Sequence, residues 1–200
     1  MTTNLQHIQI KIATNASLRI NLDPFITIFA RWRKDQNDPA AWVDLADYAH
    51  LPRGAGIVLV GQRCNIAFDL TDPGPGFLYA AKKGLSGSHQ EKILSAFQSC
   101  LDYARRLTEE QEFPEAVHLR TESIELRFND RLETPSTPAT DNELQPAIRR
   151  VLDRLHGPGG YELIPQGDAA QTYGFSIKSN QPQTLVQLLD RVAAPGVSKV

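Results

Sequence analysis

The sequence predicts an α+β protein, and three observations carry that expectation. Short segments place apolar residues with a period of two, longer ones repeat them by threes and fours, and the two kinds interleave along the chain. With 200 residues, 41% of them hydrophobic, the chain can bury a sizeable core as one generous domain or two small ones.

Residues 6–13 form a strand, with Ile8, Ile10 and Ile12 on one side and Gln9 and Lys11 on the other. Asp23 and Pro24 cap and begin a helix whose apolar face holds Phe25, Ile28, Phe29 and Trp32, and which ends before Asn37. Residues 42–46 fit either a short strand or the start of a helix, the strand being slightly favoured. Gly54 and Gly56 mark a turn, and residues 57–60 are a continuous apolar run, as in a strand covered on both faces. Gln62 and Arg63 make a hairpin into a return strand, residues 65–70, with Ile66, Phe68 and Leu70 inward. The rigid loop Asp72-Pro73-Gly74-Pro75-Gly76 leads to a further strand, residues 77–80.

Ser88 and Glu91 form a capping box, in which hydroxyl and carboxylate satisfy the N–H groups left free by a first helical turn. A long helix follows, with Ile93, Leu94, Phe97, Cys100, Leu101, Ala104 and Leu107 inward, until Pro114 stops it. Residues 117–119 read as a short strand. The pattern then begins again: residues 123–129 alternate, and Thr140 with Glu143 offers a capping box. Pro146 lacks an N–H and moves the expected helix start nearer Gln145; Ile148, Val151, Leu152 and Leu155 form the inner face and Gly157 ends it. Residues 161–165 and 173–177 are two strands, and Leu185, Val186, Leu188, Leu189 and Val192 mark a closing helix. Residues 197–200 offer a last strand.

Aligned by element, both halves read strand, helix, strand, strand, helix, strand. That βαββαβ order resembles the ferredoxin-like plan, antiparallel strands carrying helices on one face. The expectation is two such halves, residues 1–121 and 122–200, duplicated in pattern though not in residue identity, each burying its helices on its own sheet. A single larger mixed α+β domain is the alternative.

The connection from helix to next strand is four residues in the second half, 157–160, but about twenty in the first, 37–56. Trp42, Val43, Leu45 and Tyr48 argue against disorder there, so this inserted loop is where a site is expected. Asp44, Asp47 and His50 are spaced by three. Carboxylates and an imidazole suit a divalent metal, or an acid that orients a histidine for proton transfer. Tyr48, Arg53, Gly54 and Gly56 complete the candidate ligand-binding set, with Arg53 suited to an anionic group. Plainer roles carry more weight: Asp47 capping a turn, His50 half exposed, Tyr48 filling the core. Ser86-Gly87-Ser88, with Lys82 and Lys83 before it, could receive an anion at a helix start, but lacks the longer glycine loop of a phosphate cradle.

Charge is balanced, with 21 basic and 23 acidic side chains and a formal net charge of −2, which gives no field to gather nucleic acid or an anionic membrane. The two cysteines, Cys64 and Cys100, exclude a disulfide framework and fit reduced thiols in the cytoplasm. No segment reads as a signal peptide or a membrane span.

Two stretches resemble known families. Tyr173-Gly174-Phe175, on the penultimate strand of a βαββαβ half, resembles the aromatic centre of the RNA-recognition motif, whose rings would stack on bases; Ser176 and Lys178 depart from that pattern. Asp44-Leu45-Ala46-Asp47-Tyr48-Ala49-His50 with Gly54-Ala55-Gly56 is similar to an uncharacterised bacterial protein family, which implies no activity. The expected function is a non-catalytic small-ligand or protein-binding module of the bacterial cytoplasm, without a cofactor, with a homodimer through a sheet edge as one form of partnership. The alternative is a hydrolase-like metal-dependent or acid/base enzyme using Asp44, Asp47 and His50. A weak RNA binder comes third.

Overall fold

The computed structural model describes residues 3–51, 54–166 and 172–194. The strand expected at 197–200 lies outside the described residues. The fold is α+β, as the alternating and helical periodicities require.

The strands β1 (Ile8–Thr14), β2 (Trp42–Asp47), β3 (Ile57–Gly61), β4 (Cys64–Asp69), β5 (Gly76–Ala81), β6 (Leu119–Phe128), β7 (Tyr161–Gln166) and β8 (Tyr173–Ser179) join in one eight-stranded sheet. Its order is β2-β3-β4-β5-β1-β6-β8-β7, and each neighbouring pair is antiparallel. One sheet therefore replaces the two expected, because β1 and β6 pair at its centre and fuse the two parts edge to edge. In the earlier part four strands, β2 to β5, run as a meander back to β1; in the later part the hairpin of β7 and β8 returns to β6. The segment expected as a ferredoxin-like insertion is thus itself partly a strand, β2. Leu119–Phe128 is a single strand, so the chain continues through positions 121 and 122 without a boundary. Its register shifts between Ile12 and Thr14 of β1, and the polar residues of that irregularity interrupt the alternation and make one strand look like two.

Register turns the alternation into rows across the sheet. Leu45, Leu59, Ile66, Tyr79, Ile10, Leu126 and Phe175 lie opposite one another from β2 to β8. This face carries the helices. α1 (Asp23–Arg33) lies on β2 and β3, α2 (His89–Thr108) on β5 and β1, and α3 (Pro138–His156) and α4 (Leu185–Ala193) pack against α2. Phe25 of α1 stacks on Phe68 of β4 with ring centroids 3.8 Å apart, and both are fully buried, as are Phe29, Phe97 and Phe128. Burial of that many large side chains is the main stabilising term, at about 25 cal/mol per Å² of apolar surface removed from water.

The capping box of α2 forms as expected, with Ser88 accepting from the Glu91 N–H and the Glu91 carboxylate accepting from the Ser88 N–H. The helix stops at Thr108, ahead of Pro114, because the next residues turn toward α1: Glu110 accepts hydrogen bonds from Trp32 Nε1 and from Arg31. α3 begins earlier than expected. Its cap is Thr137, which accepts from the Thr140 N–H, so Pro146 lies inside the helix. Glu143 serves elsewhere, accepting from the backbone N–H and hydroxyl of Thr3, both at 2.9 Å. Leu144, Ala147 and Ile148 are buried around Pro146, and this tertiary burial holds a helix that local propensity would break.

Where α3 ends, the Gln183 side chain lies 2.9 Å from His156 Nδ1; with its oxygen accepting from Arg191, its amide NH2 donates to the ring. Nε2 then carries the proton in a buried position without a partner among the described residues. Burial holds the His156 pKa below the ordinary histidine value, and the Arg191 charge lowers it further. The unfolded chain therefore takes up a proton near pH 6.5 that the folded chain refuses until a lower pH. Stability is expected to be full above pH about 6.5 and to fall below it, by at most about 1.4 kcal/mol per pH unit. Urea unfolding at a series of pH values, repeated on His156→Gln, checks this: the variant should lose the part of the slope that His156 contributes.

Candidate functional site

β2 is an edge strand, and its own chemistry accounts for the acidic residues that the sequence singled out. Tyr48 donates its N–H inward to Gly56 O at 2.8 Å, so alternation turns the Leu45 N–H outward, where no neighbouring strand meets it. The Asp44 carboxylate accepts from that Leu45 N–H at 2.8 Å and lies 3.8 Å from Arg33. Asp47 accepts from the Ala49 N–H at 2.8 Å and caps the turn that follows. Strand alternation sends Asp44 and Asp47 to opposite faces, and His50 is exposed in the turn. Among the described residues no three His, Cys, Asp or Glu side chains stand together as a metal-ion site. Asp44 and Asp47 are thus separated by the strand that carries them, and His50 lies in the turn beyond it.

The other residues of that set are structural in the same way. Tyr48 is exposed rather than packed in the core. A Cβ at Gly54 would stand 2.0 Å from Tyr48 O, and Gly56 adopts φ +67° with its Cβ position 2.2 Å from Phe68 O, so both glycines are required by backbone approach. Arg53 lies outside the described residues. Elsewhere, the helix start at Ser88 is closed to an anion because Glu91 occupies its N–H group, and Lys82 donates to Gly61 O at 2.7 Å. Tyr173 and Phe175 are buried on the helical face, so their rings are withheld from nucleic-acid bases.

Two carboxylates on a bare edge act as guards: they fill outward donors and would meet an incoming strand with charge. The double variant Asp44→Val/Asp47→Val is expected to self-associate through β2. Light scattering over a concentration series should show a rising mass for the variant at concentrations where the parent mass is constant.

A concave surface of the helical side lies close to the start of the same connection. A cleft of about 500 Å³ opens between α2, the hairpin at Arg63, the end of β5 and the turn at residues 38–40. Asp38 organises it. Its side chain is almost fully buried; one oxygen accepts from Tyr103 OH at 2.6 Å and from the Ala40 N–H at 2.9 Å, and the other from Arg106 at 2.6 Å. Burial pushes this carboxyl up, but the hydrogen bonds from Tyr103, Ala40 and Arg106 outweigh it and leave it below the ordinary carboxylate value. Arg106 in turn lies over the Trp32 ring, 4.1 Å from its centroid.

The floor is made of Cys64, Tyr79, Ala81 and Tyr103, with the two tyrosine rings nearly parallel at 6.4 Å. Burial pushes the Cys64 thiol up to about 12, with the Asp38 charge adding to it, and burial raises both tyrosines. All three groups therefore hold their protons at neutral pH. On the helical wall, burial raises the Asp102 carboxyl, opposed by Arg105.

No family model, curated protein or solved structure matches this chain.

On the opposite face of the sheet a smaller recess, about 200 Å³, surrounds a buried charge network. Lys11 Nζ donates to Asp69 at 2.5 Å and to Thr71 O at 2.8 Å, and the Thr71 hydroxyl donates to the same Asp69 oxygen at 2.6 Å. Arg127 donates to Glu125 and to Asp72 O. Burial raises the Glu125 carboxyl, with Arg127 and Lys11 opposing. These groups bond to one another and tie the loop after β4 to the centre of the sheet, which is a structural task.

Of residues 37–56, where the sequence placed a site, Asp38, Pro39 and Ala40 line the cleft on the helical side, and Asp44, Asp47 and His50 do not. The cleft residues Asp38, Cys64, Tyr79, Ser99, Asp102, Tyr103 and Arg106 were not among the candidates from sequence. One signal was present. Ser95, Ser99, Asp102, Arg106 and Glu109 recur by fours and threes, a polar stripe beside the apolar one on α2, and all five line the cleft.

Proposed function

We propose that this protein is a non-catalytic binding module of the bacterial cytoplasm, and that the cleft between α2 and the turn at Asp38 takes a small ligand. The observation that carries this is a concavity of about 500 Å³ in which a protonated polar floor lies beneath a charged rim. Ligand pockets fall in the range of roughly 300–1,000 Å³ and pair apolar walls with a few placed polar groups. Cys64, with its thiol pushed up to about 12, favours binding over nucleophilic chemistry. Both cysteines are free and buried, which supports a reducing compartment, and no described helix is long and apolar enough to cross a membrane.

The chain has two tryptophans, and Trp32 and Trp42 both pack on Tyr103, at 6.2 and 5.5 Å between ring centroids. Intrinsic fluorescence therefore reports on the cleft. Titration with a set of neutral and charged metabolite-sized compounds should yield a saturable change that Ser99→Phe, which fills the cavity, abolishes. A set that leaves the fluorescence of the parent unchanged would overturn the proposal.

A second reading is a protein partner, including a second copy of the chain, on the β2 side. It is favoured by Val43, Tyr48 and Leu51, large apolar side chains 59, 42 and 47% exposed within nine residues. Retention of a monomer mass by light scattering at high concentration would remove the homodimer.

A further inference from the structure

The charges of the cleft do not cancel. Asp38 is taken by Arg106, and Glu109 by Arg105 at 2.7 Å. Arg63 and Lys83 on the strand side, and Asp102 on α2, then have no side-chain hydrogen bond or ion pair among the described residues. Lys82, next in sequence to Lys83, is by contrast tied to Gly61 O. Asp102 is exposed on the α2 wall of the cleft, as Arg63 and Lys83 are exposed on its strand side. Two cations and one acid are thus left facing a shared cavity across a platform of tyrosine rings.

We infer that the ligand is a small anion that also carries an amino group, its acidic end held by Arg63 and Lys83 and its amine by Asp102. This rests on the cleft being a ligand site, as proposed above. An anion alone would use only Arg63 and Lys83, and a cation alone only Asp102. A molecule with both ends satisfies all three, with its carbon skeleton over Tyr79 and Tyr103.

The test is fluorescence titration of the full chain, at low salt, with O-phosphoserine, inorganic phosphate and spermidine. O-phosphoserine is expected to saturate at about tenfold lower concentration than phosphate, and spermidine not to bind. Arg63→Gln/Lys83→Gln, both exposed positions that leave the fold unchanged by circular dichroism, should weaken both anions by about tenfold or more. Asp102→Asn should remove the preference for O-phosphoserine while leaving phosphate binding in place. Tightest binding by spermidine, equal binding of the two anions, or an unchanged preference in Asp102→Asn each overturns the inference. Should neutral compounds saturate in the cleft while all three charged probes fail, the inference falls and the ligand site stands. Should nothing saturate, both fall.

Discussion

Lys11→Met is expected to lower the free energy of unfolding by about 3–5 kcal/mol, because it leaves Asp69 buried with an unpaired charge. The side chains of Lys11 and Asp69 are 5 and 3% exposed, so water cannot take the place of the lost ammonium. The loss is expected to exceed the worth of the pair itself. In Lys11→Met/Asp69→Leu both charges are gone and the site can pack as a core, so most of the stability should return. Urea unfolding of the parent, both single variants and the double variant closes this cycle. A double variant as unstable as the worse single would mean that the network, and not the unpaired charge, carries the stability.

Asp38→Ala should cost about 2–4 kcal/mol and open the cleft. It strips the acceptor from the buried Ala40 N–H and the part-buried Tyr103 hydroxyl. Arg106 is partly exposed and lies 3.6 Å from Asp35, so its loss is discounted toward the lower figure. Since Trp32 and Trp42 pack on Tyr103, the variant should also shift the fluorescence of the folded protein. The same carboxyl predicts an acid limb. Its folded pKa lies below its unfolded value of about 3.8, so its contribution is complete above that pH and is lost as pH falls through the folded pKa. Acid titration of Asp38→Ala should therefore show a shallower loss of stability below pH about 4 than the parent.

Much of the fold was legible because it depends on local periodicity. Ile8, Ile10 and Ile12 announced the central strand, and Ser88 with Glu91 announced α2. Register and long-range partners were not legible. Lys11 read only as lying on the polar side of its strand, yet it is buried there because Asp69, 58 residues away, meets it across the sheet. The cap of α3 is Thr137 where Thr140 was expected, and Glu143, expected in the capping box, accepts from Thr3 instead. The irregularity in β6 broke its alternation and suggested two halves where the sheet is continuous. The spread of the candidate acids was hidden for a related reason. Acids at a spacing of three look convergent until β2 is known to be an extended edge, where alternation separates them. Asp38 carried no signal of its own, since its value comes from Tyr103 and Arg106, more than sixty residues on.

The central claim is that ligands enter on the helical side, between α2 and the turn at Asp38, and not at Asp44, Asp47 and His50. Chemical-shift mapping of the isotopically labelled full chain with O-phosphoserine tests it most directly. The account predicts shifts clustered at Arg63, Tyr79, Lys83, Ser99 and Asp102, with residues 44–50 unchanged. Shifts confined to residues 44–50, with the α2 wall silent, would contradict it.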